Sequence, residues 1–208
     1  MTTLKIWKTH PNIIVPRYQT EQSACFDIAF QSAGKGQYKG FSHLNKPFTR
    51  LMQNAITIAP GDRVLVPTGY IMDISQGYSV RLHVRSSIAL KQGLVLANGE
   101  GVIDSDYVDE VFVVLYNTTG NSVTIQNGDR VAQAELIKNL EFTVEETPLR
   151  PLNKTNRIGG FGSTGIKSTD NMVVINIDKP VIPDFVKEST NTPVAKRGRG
   201  RPRKDASK

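Results

Sequence analysis

Between residues 55 and 136 short hydrophobic runs alternate with polar turn clusters at roughly ten-residue spacing. Ala55-Ile56-Thr57-Ile58-Ala59 predicts a strand, Pro60-Gly61-Asp62 a turn, and Arg63-Val64-Leu65-Val66 a second strand. Strands are expected again over 69–74 and 78–84, separated by Ser75-Gln76-Gly77. The run 110–116 is apolar almost throughout and bounded by turn residues, the pattern of a buried strand. Asn117-Thr118-Thr119-Gly120-Asn121 turns the chain, 122–125 alternates, and Asn127-Gly128-Asp129 turns it again before a last strand over 130–136. Many short strands imply an all-β sandwich or barrel. One helical turn is expected over 87–91, with Ser87 as N-cap and Gly93 as terminator. Residues 31–54 carry glycines, cations and aromatics without a clear period, and read as a surface insertion loop.

After Gly165 the pattern fades. Residues 172–177 are a short apolar run, either an added strand or a linker segment, and Pro180, Pro183 and Pro193 oppose a compact continuation. The organisation expected is a β domain over 1–150, a glycine-rich arm over 151–166, a linker over 167–195 and a basic tail over 196–208.

Composition changes this picture in two places. The 208 residues carry a net charge of +7, but the segment 196–208 holds seven cations and one acid, a net +6, which leaves +1 for the other 195 residues. The basic character therefore belongs to the tail. The single cysteine, Cys25, has no partner for an internal disulfide and lies beside Phe26 and Ile28, so a buried structural thiol is expected. No apolar run is long enough to span a membrane, and residues 1–8 lack the apolar core of a signal peptide. An intracellular, cytoplasmic protein is the expectation.

The chemistry concentrates in three blocks: Arg85-Ser86-Ser87, the stretch from Asn98 to Tyr107, and Gly159-Gly160-Phe161-Gly162-Ser163-Thr164-Gly165. A guanidinium pairs with phosphate oxygens as a fork, and hydroxyls add donors. Gly99 and Gly101, read as a hairpin, bring backbone amides close to a flat base. Glycines in the third block allow amides to wrap phosphates. His10, His43 and His83 are isolated, and no zinc-spaced His/Cys cluster exists.

With Ser23-Ala24-Cys25-Phe26-Asp27-Ile28 before them and Gly128-Asp129-Arg130-Val131-Ala132-Gln133 between, these blocks resemble, over roughly residues 4–165, the five motifs of the homotrimeric dUTPase family. The resemblance implies a distorted jelly-roll or β-barrel subunit with a flexible C-terminal arm, three copies, and sites at the subunit interfaces. It implies that dUTP is hydrolysed to dUMP and pyrophosphate with Mg2+, by attack of a water that Asp104 activates on the α-phosphorus. Asn98, Gly101, Val102 and Ile103 would read the uracil, and Tyr107 would pack on the deoxyribose. Arg85, Ser86, Ser87 and Gln133 would contact phosphates. Arg157 would take the γ-phosphate, Phe161 would close over the base, and Gly162 and Ser163 would contribute donors. Asp27 would lie near the metal without binding it directly. Three departures stand out: Cys25 replaces the usual glycine, Asp109 replaces the glycine after the third motif, and Phe161 follows Arg157 by four positions rather than five.

Two alternatives remain. The related dCTP deaminases share the Arg-Ser-Ser block, but alignment on Tyr116-Asn117 places Val114 where that family needs a proton-shuttling glutamate. A dUTPase-like fold could also serve a regulatory, DNA-binding protein. The tail supports part of that idea: Arg199-Gly200-Arg201-Pro202-Arg203 resembles an AT-hook, whose arginines enter the narrow minor groove of A·T-rich DNA.

Overall fold

Side chains that alternate between an inner and an outer face build most of the computed structural model, which describes residues 2–34, 36–155 and 159. The strands are β1 Lys5–Lys8, β2 Phe26–Ala29, β3 Gly36–Phe41, β4 Pro47–Met52, β5 Ala55–Ile58, β6 Arg63–Pro67 and β7 Tyr70–Asp73. They continue with β8 Tyr78–Val84, β9 Leu94–Leu96, β10 Gly101–Ile103, β11 Phe112–Asn117, β12 Val123–Gln126 and β13 Arg130–Lys138. All belong to a unit spanning Met1–Glu145; a second unit, Glu146–Lys208, has no strand among its described residues.

A four-stranded sheet has the order β10-β8-β13-β2, and a five-stranded sheet the order β4-β3-β6-β11-β9. The pairs β1-β7 and β5-β12 complete the strand set, and every pairing is antiparallel. Val80 and Leu82 of β8, Ala132 and Ala134 of β13, and Phe26 and Ile28 of β2 share one core with Val64 and Val66 of β6 and Val113 and Leu115 of β11. The all-β jelly-roll expectation agrees with this architecture.

The strand–turn–strand predicted at 55–66 is present, yet its two strands do not pair with each other. β5 pairs with β12, whereas β6 pairs with β11 and β3, so the chain changes sheet at the turn. Asn117 fixes this corner and is wholly buried. Its Nδ2 donates to the carbonyls of Ile58 (2.9 Å) and Asn121 (2.8 Å), and its Oδ1 accepts from Thr119 N and Oγ1. Its carbonyl accepts from Gly61 N, and its own N donates to the carbonyl of Asp62.

Three expectations need correction. Residues 31–54 are not a loop: β3 and β4 form a hairpin that pairs with β6 and widens the five-stranded sheet. Tyr38 and Met52 face the core, and a Cβ on Gly40 would run into the Arg63 carbonyl oxygen and the Phe48 ring. The signal was hidden because glycine occupies one inward position and the outward face mixes Lys39 with Phe41. The hairpin turns through Ser42 to Lys46, where Asn45 takes φ 58°, a left-handed conformation that asparagine tolerates better than most residues. Ser87 does not cap the helical turn Ile88–Gln92: its own backbone is already helical, and its hydroxyl makes no capping bond. Gly93 does end that turn, at φ 64°, its N donating to the carbonyl of Ala89. Finally, Gly99 and Gly101 do not sit in a hairpin. β9 pairs with β11 and β10 with β8, so the turn between them crosses from one sheet to the other.

Asn117→Ala leaves the buried Ile58 carbonyl without its donor and frees the turn at Asn121. The expected loss is about 3 kcal/mol, read as a lower denaturant midpoint with an unchanged slope.

Candidate active site

A bulge in β13 builds the first half of the site. In register, Ala132 lies opposite Ile28 and Arg130 opposite Ala29, leaving Val131 as the extra residue. Val131 and Ala132 both point inward, and the shift in phase releases Arg130 to the outer face. There Asp27, its side chain 12% exposed, accepts from Arg85 Nε on Oδ1 and from Arg130 Nη1 on Oδ2, each at 2.8 Å. Arg85 Nη1 also donates to the Arg130 carbonyl at 3.1 Å. One carboxylate thus orients two guanidiniums and leaves the group with a net positive charge, suited to an anion. Gln133 lies directly between Asp27 and His83 across the sheet, its Nε2 donating to the Val84 carbonyl. Ser86 and Ser87 follow Arg85, the first exposed and the second half-buried.

Cys25 sits at the edge of this group. It is half-buried rather than buried, a correction to the expected core thiol, because β2 begins only at Phe26. Burial pushes its thiol up, and the charges of Glu135 and Asp27 push the same way. It is therefore a poor nucleophile near neutral pH.

The second half is the crossing from β9 through β10. Ala97 N donates to the Val114 carbonyl and Gly99 N to the Leu96 carbonyl, and Gly99 takes φ 73°. Gly101 is required for packing, since a Cβ there would strike the Leu82 side chain. Val102, opposite Arg81, is exposed, and Ile103, opposite Val80, is half-buried. The Asp104 side chain is exposed, while its carbonyl accepts from Tyr107 N at 3.2 Å. Tyr107 is 38% exposed and its hydroxyl donates to the Glu110 carbonyl at 2.8 Å. Partial burial raises its phenol pKa, with Asp109 and Glu110 adding to the effect. Glu110 in turn accepts from Gly69 N, which ties the segment after Asp104 to the start of β7. Asp109, the residue in place of glycine, points to solvent.

Sequence reasoning missed a chain of polar side-chain contacts that holds this turn. Glu100 pairs with Arg81 at 3.4 Å and with His83 Nδ1 at 3.8 Å, and His83 Nε2 lies 3.0 Å from Glu135. Their positions in the sequence give no sign of the contact, which exists only because β10, β8 and β13 are neighbours.

The structure brings Asp27, Arg85, Arg130 and Gln133 together but keeps Asp104 apart from them. Ile103 is level with Val80, so Asp104 falls near Ser79, six residues from Arg85 along β8. At about 3.3 Å per residue the two are roughly 20 Å apart, too far for one side chain of each to meet on the same phosphate. Arg157, Phe161, Gly162 and Ser163 lie outside the described residues, as do the 172–177 segment and Arg199, Gly200, Arg201, Pro202 and Arg203 of the tail. No helix among the described residues is long and apolar enough to cross a membrane.

Known proteins resemble this chain in sequence and fold. Residues 51–165 match the dUTPase family. The deoxyuridine 5'-triphosphate nucleotidohydrolase of Wolinella succinogenes is 34% identical over 163 residues, covering 78% of this chain and 93% of the relative. That of Desulfotalea psychrophila is 37% identical over 153 residues, covering 73% and 87%. The crystal structure of dUTPase from Streptococcus mutans superposes with a TM-score of 0.51 at 27% identity, covering 69% of this chain and all of that one. A family match over more than half of the chain, with relatives aligned along nearly their whole length, establishes that this protein belongs to the dUTPase family.

Proposed function

We propose that this chain is a dUTP diphosphatase, converting dUTP to dUMP and pyrophosphate. The observation that carries the reading is that the single family match, residues 51–165, contains Arg85, Asn98, Asp104, Tyr107, Gln133 and Phe161 together.

The water that attacks gives its proton to the Asp104 carboxylate. Its oxygen forms a bond to the α-phosphorus as the bond from that phosphorus to the bridging oxygen breaks, and pyrophosphate leaves with the electron pair. An exposed carboxylate next to a tyrosine anchored through Glu110 suits this task. Asn98 and the backbone of Gly101, Val102 and Ile103 read uracil, in a pocket too tight at C5 for a methyl group. Tyr107 occupies the space of a 2′-hydroxyl. Arg85, held by Asp27, binds phosphate with Ser86, Ser87 and Gln133. From the arm, Arg157 takes the γ-phosphate, and Phe161 covers the base with donors from Gly162 and Ser163.

Among the described residues no cluster of three or more His, Cys, Asp or Glu could hold a metal, and both oxygens of Asp27 already face arginines. That donor set fits Mg2+ carried on the substrate phosphates and water, with Asp27 near it only indirectly. When bound, the ion neutralises phosphate charge and eases departure of pyrophosphate.

The distance between Asp104 and Arg85 favours a site shared between copies. A homotrimer places Asp104 of one subunit against Arg85 of another, by a head-to-tail contact that closes into a ring. Arg199, Gly200, Arg201, Pro202 and Arg203 form a separate module that tethers the enzyme to A·T-rich DNA, where removal of dUTP limits uracil incorporation.

Pyrophosphate release across a nucleotide panel tests the chemistry. Asp104→Asn is expected to lower kcat by 10²–10⁴, and equal turnover of dUTP and dTTP would overturn the specificity. For the shared site, Asp104→Asn and Arg85→Ala proteins are each expected to be nearly inactive, while co-expressed chains regain turnover. Failure to recover, with mixed oligomers demonstrated, would place both residues on one copy. Deleting residues 196–208 should abolish binding to A·T-rich duplex and leave dUTP hydrolysis intact; loss of both would show that the tail is not a separate module.

A further inference from the structure

We propose that the outer face of the five-stranded sheet, where the β3–β4 hairpin widens it, binds a single strand of nucleic acid. The hairpin lies almost wholly before the segment that matches the dUTPase family, which begins at residue 51.

Its charge is one-sided. Between Asp27 and Asp62 the sequence holds no acid and four cations, Lys35, Lys39, Lys46 and Arg50. Arg50 spends its charge on the buried Asp62, at 3.3 Å. Lys39 and Arg63 remain on the outer face and line a groove of about 1030 Å3 together with Phe41, Asn45, Thr49 and Leu65. Among the described residues, no acidic side chain lines that groove.

The aromatic element is equally specific. Phe41 is 46% exposed and Leu65 beside it 38% exposed, although a sheet face turned only to water would favour polar residues. The Arg63 guanidinium lies 5.7 Å from the centre of the Phe41 ring and is also bonded to Asn45 Oδ1. A ring available at one face, flanked by two cations, is the combination that stacks a base while pairing its phosphates. Duplex DNA offers no unpaired base to Phe41, and an acidic peptide offers neither a regularly spaced row of phosphates nor a base beside each one. Charge and aromatic exposure together therefore select an unpaired nucleotide strand.

The groove extends to Ala97 and Asn98, so binding there must be separated from occupancy of the nucleotide site. It must also be separated from the basic tail. The full chain carrying Arg199→Ala, Arg201→Ala and Arg203→Ala serves as the parent protein. The probe is a fluorescein-labelled oligothymidylate of about twelve nucleotides, within the usual footprint of such grooves, followed by anisotropy with and without excess dUMP. The parent is expected to bind the probe whether or not dUMP is present. The affinity should fall with salt along a log–log slope of roughly −1.4, as two phosphate contacts require. Phe41→Ala should weaken binding about tenfold. Lys39→Glu should weaken it and flatten the slope, and Lys39→Gln should do the same to a smaller degree. Turnover of dUTP should be unchanged in all three, so the outcome is independent of the enzymatic reading. Unchanged affinity in these variants, or displacement of the probe by dUMP, would overturn the proposal. A shift in oligomeric mass caused by Phe41→Ala or Lys39→Glu would also overturn it, by assigning the face to contact between copies of this chain.

Discussion

The molecule turns on the position of β13. It is the longest strand among the described residues and is paired on both sides, with β8 along most of its length and with β2 at its start. Its inner residues, Val131, Ala132 and Ala134, are small or β-branched, which allows the facing strands to approach closely over a dry core. Its outer residues supply Arg130, Gln133 and Glu135, each of which contacts a neighbouring strand. The bulge at Val131 reconciles the two demands. Without it Arg130 would fall on the inner face, and Asp27 would lose one of the two cations it organises.

The same economy governs the charges. Asp27 holds two arginines, Glu100 bridges Arg81 and His83, and Glu135 meets His83 from the opposite side. These pairs are partly exposed, so each adds little stability by itself. Their value lies in geometry: they point donors in fixed directions on a surface that would otherwise leave long side chains free.

Much of this was legible in the sequence, for physical reasons that differ by element. Strands β6, β8, β11 and β13 stand out in the letters as hydrophobic runs bounded by turn residues. The glycine at 93 marks the end of a helical turn because only a left-handed backbone fits there. By contrast, the β3–β4 hairpin escaped because Gly40 removes an apolar residue from the inward row, and because Phe41 puts one on the outward row. Sheet membership escaped entirely: neither the corner at Pro60-Gly61-Asp62 nor the turn at Gly99 reveals that the strands beside it belong to different sheets. The motifs singled out Asp27, Arg85 and Asp104, but the separation of Asp104 from the other two depends on the register of β10 against β8, a long-range property.

The ion pair between Asp27 and Arg130 joins residues 103 positions apart in the chain. During synthesis, β2 therefore leaves the ribosome long before β13, its partner among the described strands, exists. Until Lys138 has emerged, the open edge of β2 and the apolar faces of β6 and β8 stand uncovered, and closing so long a loop is slow. Long-range β pairing of this kind slows folding and leaves strand edges open to aggregation while the chain is incomplete.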